Sequence, residues 1–171
     1  MALRAFLALS ILASSAGAGA QSTNAPAKPK KAPFSIGIST PTATVRAGSE
    51  VIVNIVLTNT SNRELNIDIT KAQEPGEIDF ALDVRDAKGN AAPHTTWGRR
   101  LQGDGSSLPP PMESSSLEVP LKRGKSTRSR IIVNRLYDVS QPGKYTIQVG
   151  RSDPYTAAIA LSNTLTVTVI P

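Results

Sequence analysis

From Phe34 onward apolar and polar residues alternate, as half-buried strands require when successive side chains point to opposite faces of a sheet. Phe34, Ile36 and Ile38 open the series, and Thr42 to Arg46 is expected to continue that strand past Pro41. The turn Ala47-Gly48-Ser49 leads into Val51, Val53, Ile55 and Leu57, one face of the most regular strand in the chain. Thr58 to Asn62 is rich in side chains that bond their own backbone, so the chain reverses there and returns through Leu65, Ile67 and Ile69. Beyond the polar stretch Lys71 to Glu77, a further strand carries Ile78, Phe80, Leu82 and Val84. Asp86 to Asn90 then makes a hairpin turn in which Gly89 takes positive φ, and Ala91 to Trp97 is predicted to return as the partner strand.

Gly98 to Ser116 breaks the alternation with glycines, serines and Pro109-Pro110-Pro111, and reads as one long loop of the kind that usually carries function. Val119 and Leu121 precede the turn Lys122 to Lys125, and Ser126 to Leu136 is expected to be a strand throughout. The last two strands hold Tyr145, Ile147, Val149 and Leu165, Val167, Val169, with Ser152-Asp153-Pro154 as the bend between them. About seven to eight short strands without a competing helical period predict an all-β fold, an immunoglobulin-like antiparallel β-sandwich, over residues 34–171. A small closed barrel is the competing architecture. Tyr145 favours the sandwich. It stands after Gln141-Pro142-Gly143-Lys144 and ahead of the inward position Ile147, where a tyrosine corner bonds its hydroxyl to the backbone upstream.

The N-terminal segment has a different pattern. Arg4 precedes the apolar run Ala5 to Ala13 and the small residues Ser14 to Ala20, the three parts of a secretory signal. The run is too short for a membrane-spanning helix, which needs about 20 residues. Ala18-Gly19-Ala20 offers a cleavage site before Gln21, with Ala16-Gly17-Ala18 competing. Residues 1–20 therefore read as a signal peptide and 21–33, QSTNAPAKPKKAP, as a solvated Pro/Ala/Lys linker. The mature chain is expected to be exported, periplasmic or extracellular, with no transmembrane segment.

Composition narrows the chemistry. The chain has no cysteine, which excludes disulfides and thiolate sites. The net charge of +6 falls to +2 over residues 34–171, because Arg4, Lys28, Lys30 and Lys31 lie upstream and every acidic residue lies within that range. A general nucleic-acid reading therefore loses support, and no aromatic residues interleave the cations to stack bases. His94 is the only histidine, with no G-x-S-x-G elbow to accompany it, so neither a hydrolytic triad nor a zinc site is expected. Asp79, Asp83 and Asp86 lie close together but lack the order of a calcium loop, and read as solvated carboxylates. No glycine-rich phosphate loop is present, and aromatics make up 4% of the chain, too few for a sugar-binding cleft. No cofactor and no metal are expected.

Val56 to Ser61, Leu121 to Gly124 and Leu136 to Val149 resemble bacterial exported immunoglobulin-like domains. More particularly, they are similar to the non-catalytic β-sandwich that precedes the peptidase domain of deuterolysin-type metalloproteases. Val84 to Asn90 and Trp97 to Arg100 fit the same layout. The resemblance implies a sandwich that accompanies a protease, since the sequence holds no His-Glu-x-x-His. A strand order similar to that of small proteinase-inhibitor domains implies, as an alternative, binding to a protease.

Two surfaces are candidates for recognition. Trp97, Arg99 and Arg100 combine a large amphipathic ring with two cations, a common hot-spot composition; the competing reading, which the sequence favours slightly, is that Trp97 caps the sandwich edge while the arginines stay solvated. Lys122, Arg123, Lys125, Arg128, Arg130 and Arg135 form a basic run that suits an anionic polymer or an acidic partner, or protects a sheet edge. The expected function is an exported, non-enzymatic module that binds another extracytoplasmic protein or an envelope component through its loops. A proteinase inhibitor or protease-associated accessory domain is the alternative. Export predicts that N-terminal sequencing of the secreted protein starts at Gln21; retention of Met1 would remove the signal-peptide assignment.

Overall fold

A computed structural model describes residues 31–71, 79–102 and 115–171. The segment expected to be a signal peptide, most of the expected linker, Ile78 and residues 103–114 of the expected long loop lie outside the described residues. Among those described, ten strands, where seven to eight were expected, and two short helices form the immunoglobulin-like β-sandwich that the alternation predicts, antiparallel but for one pair. The folded part begins inside the stretch expected to be linker: Ala32 is buried, and the Pro33 carbonyl accepts the Thr60 N–H.

In one sheet, β1 (Phe34–Ser39) and β7 (Ser126–Ile132) flank β3 (Ile52–Asn59), both antiparallel to it. In the other, the order is β2 (Thr44–Arg46), β10 (Leu165–Ile170), β8 (Gly143–Ser152) and β5 (Ala81–Arg85). β9 (Ile159–Leu161) also pairs with β8. The core fills the space between the sheets. Its fully buried residues include Val53, Ile55 and Leu57 of β3, Ile131 of β7, Val84 of β5, Ile147 and Val149 of β8, and Val167 of β10.

A two-stranded ribbon of β4 (Leu65–Lys71) and β6 (Ser115–Leu121) spans from one sheet to the other. At one end Asn59, only 1% exposed, donates to the carbonyls of Arg63 and Leu121 and accepts from the N–H and hydroxyl of Ser61, which satisfies both donors and both acceptor positions of its amide. At the other end the Asp79 carboxylate accepts from the N–H and hydroxyl of Thr70, and Arg151 donates to the Asp68 carbonyl.

Several local expectations are corrected. Thr42 to Arg46 does not extend the first strand. Pro41 has no N–H for a ladder, and the chain crosses to the other sheet, where β2 runs parallel to β10. Ala91 to Trp97 does not return as a strand. It makes isolated bridges at Arg85–Ala91 and His94–Tyr137, with Pro93 between, and then enters α1 (Thr96–Gln102). Of the long loop expected over Gly98 to Ser116, residues 98–102 belong to α1, and Ser115 and Ser116 begin β6. The strand expected over Ser126 to Leu136 ends at Ile132 and gives way to α2 (Val133–Leu136). β9 interrupts what was read as a single bend after β8.

The tyrosine corner is present. The Tyr145 hydroxyl donates to the Gln141 carbonyl at 2.9 Å, and burial raises its pKa above the ordinary tyrosine value, with Asp138 and Asp86 adding to the shift. Among the described residues no helix is long and apolar enough to cross a membrane. Tyr145→Phe is expected to cost roughly 1 kcal/mol, and Asn59→Ala roughly 2–3 kcal/mol because it strands the buried Leu121 carbonyl. Urea unfolding of both variants checks the order.

Candidate functional site

The three residues singled out for partner binding, Trp97, Arg99 and Arg100, share helix α1. Thr95 starts this helix. Its hydroxyl accepts the Gly98 N–H at 3.0 Å, as an N-cap does, and donates to the Arg135 carbonyl, while its own N–H reaches the Leu136 carbonyl at 3.0 Å. The helix is thereby fastened to α2. Gly98 lets the two approach, since a Cβ at that position would overlap the Leu136 carbonyl.

Each side chain has a structural engagement. The half-buried Trp97 packs against the core and has the guanidinium groups of Arg100 and Arg135 each 5.9 Å from its ring. Arg99 turns back along its own helix to the His94 carbonyl at 2.9 Å and the Thr96 hydroxyl at 3.3 Å. Trp97 thus does what a sandwich cap does, and the cations around its ring form the outer part of this face.

Next to α1 lies a groove of about 550 Å³ that sequence reading did not find. Leu101 of α1, Leu136, Phe80 and Leu82 form apolar wall, and Asp79, Asp83 and Arg151 contribute charge. Two of the lining side chains, Ile159 and Leu161, are 67% and 62% exposed. Their position follows from the backbone. Ala160 between them is buried, so both point to the outer face of the sheet, and Gly150 opposite has no side chain, leaving Leu161 Cδ2 3.1 Å and Ile159 Cγ2 3.9 Å from where a Cβ would stand. The turn leading into β9 is held by buried Asp153, whose carboxylate accepts the N–H and hydroxyl of Thr156, with Ala157 in the left-handed region at φ 55°.

His94 lines this groove and a second depression of about 580 Å³ on the Pro93 side. Its ring stacks on Tyr137 at a centroid distance of 4.3 Å, and the Tyr137 hydroxyl donates to the Leu82 carbonyl at 2.6 Å. Each of the three clustered aspartates has a local partner. Asp79 holds Thr70, Asp83 pairs with Arg85 at 2.9 Å, and Asp86 closes its turn through Lys88 and Asn90. Bonds from Asn90, chiefly through its side chain, lower the Asp86 pKa below the usual carboxylate value. Among the described residues no group of three or more histidine and acidic side chains is placed to hold a metal ion.

The capping role of Trp97 predicts that Trp97→Ala lowers the unfolding free energy by roughly 1–3 kcal/mol, part of the cost of emptying a full tryptophan site. Gly98→Ala is expected to destabilise as well, by displacing α1 from α2. Urea unfolding tests both, and an unchanged midpoint for Trp97→Ala would remove the cap.

No family model and no curated protein matches the chain. Among solved structures, a CARDB domain from Pyrococcus furiosus aligns at 11% identity and TM-score 0.42, over 81% of this chain and 94% of that one. A β-glucosidase from Listeria innocua aligns at 15% identity and TM-score 0.41, over 81% of this chain but only 16% of the enzyme. The DNA glycosylase AlkC of Pseudomonas fluorescens aligns at 11% and TM-score 0.41, over 82% of this chain and 31% of the glycosylase. At these scores the likenesses add nothing to the fold, which rests on the strand ladders themselves.

Proposed function

We propose that the chain is an exported, non-enzymatic β-sandwich that binds an apolar segment of another extracytoplasmic protein in the groove between α1, β5 and β9. The observation that carries this reading is the pair Ile159 and Leu161, both more than half exposed beside a cavity walled by leucine and phenylalanine. Exposed aliphatic side chains that continue an apolar cavity are what a binding site for an apolar peptide requires. From α1 it is Gly98 and Leu101 that line the groove, whereas Arg99 lines the second depression and Trp97 packs on the core, so the residues expected to contact a partner share the helix but not the groove. His94 is held by stacking on Tyr137, which suits a wall residue.

The resemblance to the sandwich that accompanies deuterolysin-type peptidases supports a companion reading in which the partner is a protease. Affinity capture from the native extracytoplasmic extract tests both. The Ile159→Ser, Leu161→Ser double variant is expected to keep its unfolding midpoint and to lose the protein that the native domain retains. Equal retention by the two forms would remove the groove. A captured protease whose activity falls on adding the domain would support the inhibitor alternative.

A further inference from the structure

The basic run lies on an open sheet edge. β7 pairs with β3 on one side and with no strand on the other among the described residues. Asn59 donates its N–H to the Lys125 carbonyl at one end of this ladder, and Val133 donates to the Val51 carbonyl at the other. In an antiparallel pair the bonded positions recur every second residue. Thr127, Ser129 and Ile131 therefore direct their backbone groups to β3, and Arg128 and Arg130 direct theirs to the open edge. The same two residues project their side chains from the outer face of the sheet, and no ion pair engages either one among the described residues. The inward positions Thr127 and Ser129 are only half-buried, so the core is left partly uncovered along this edge, and Lys122, Arg123 and Lys125 extend the positive charge beyond its start.

We propose that the β7 edge takes up an extended acidic segment of a partner protein as an added strand, distinct from the groove. The alternation specifies the occupant. Residues of the added strand on the outer face meet Arg128 and Arg130 and are acidic; those between face the gap beside Thr127, Ser129 and Ile131 and are apolar. Charge also argues against a second copy of this chain as the occupant, because symmetric pairing of β7 with itself would bring arginines against arginines, and like charges on neighbouring strands repel. The edge is thus closed to its own kind while it stays open to an acidic strand.

The test uses a short, capped, fluorescently labelled peptide of alternating glutamate and valine, titrated with the mature chain at low salt and followed by anisotropy. Binding is expected, with a loss of about tenfold for Arg128→Glu, Arg130→Glu. The edge amide is separated from the charge by comparing Arg130→Ala with Arg130→Pro. Proline removes an N–H that the β3 ladder does not use, so the proline variant is expected to keep the fold and to bind less than the alanine variant. If proline perturbs the fold by circular dichroism, the same question is put to the native chain with a probe N-methylated on alternate residues, which is expected to bind in only one of the two methylation registers.

Equal binding of an alternating lysine and valine peptide would overturn the proposal. So would equal affinity for both methylation registers, or a sequence-scrambled peptide of the same charge binding as well, since either reduces the surface to a diffuse anion site. Concentration-dependent dimerisation that the arginine-to-glutamate variant abolishes would assign the edge to a second copy instead. The Ile159→Ser, Leu161→Ser variant is expected to bind the probe normally, so the edge and the groove succeed or fail separately.

Discussion

Everything in this domain depends on two sheets staying face to face without a covalent link between them. β3 and β8 are each paired on both sides, and they carry Val53, Ile55, Leu57, Ile147 and Val149, which are almost completely removed from water. In antibody domains a disulfide joins two central strands at this level; here aliphatic packing does the work, and each large core side chain contributes on the order of 1.5–3 kcal/mol. Because side chains alternate, that packing also fixes register. A slip of one residue in β3 would turn its buried row outward and expose Asn54 and Val56 positions to the core in its place.

Such a core leaves a second problem at the places where strands stop. Three asparagines solve it by imitating backbone. Asn59 completes the junction with the ribbon, Asn134 accepts from the Val51 N–H and donates to the Ser49 carbonyl, and Asn163 accepts from Ile38 N–H and donates back to its carbonyl. A side-chain amide presents N–H donors and a carbonyl acceptor in the spacing of a peptide group, so each stands in for backbone where a ladder stops. The Asn163 pair is the most consequential. It joins β1 to the segment between β9 and β10, sealing the side of the sandwich where the chain changes sheets.

The strands were legible because burial forces a period of two, and that signal survives single departures. Tyr145 was legible for the same reason, since its place relative to Ile147 follows from geometry. What failed was whatever depends on a few residues' worth of local chemistry. Helix α1 has the sequence TWGRRLQ, with a glycine inside and only seven residues, so no helical period could emerge; its one usable signal was the Thr95 cap. α2 is a single turn, and its valine and leucine read equally well as strand. β9 has three residues, of which Ile159 and Leu161 look like a buried row. Only the strand order reveals that Ala160 is the inward residue and that the two larger ones face water. One helix carries Trp97, Arg99 and Arg100, but the groove lined by its Gly98 and Leu101 is assembled from strands distant in sequence and left no local trace.

The strand orders also explain why the groove and the open β7 edge fall where they do. With β1 and β2 on one flank, β7 and β5 end the two sheets on the other. The first flank is closed by the parallel β2–β10 pair and by Asn163. The second is closed only in part. α2 continues directly from β7, Tyr137 at its end reaches the Leu82 carbonyl on β5, and α1 rests on α2 through Gly98. Beyond this bridge the groove opens beside β5, and on the other sheet the outward edge of β7 has no strand partner among the described residues. Closing this flank with a longer helix or another strand would bury more apolar surface and remove both features. With seven residues in α1 and a single turn in α2 the fold keeps enough cover to hold the core, and among the described residues two chemically different edges stay exposed: one apolar, one cationic.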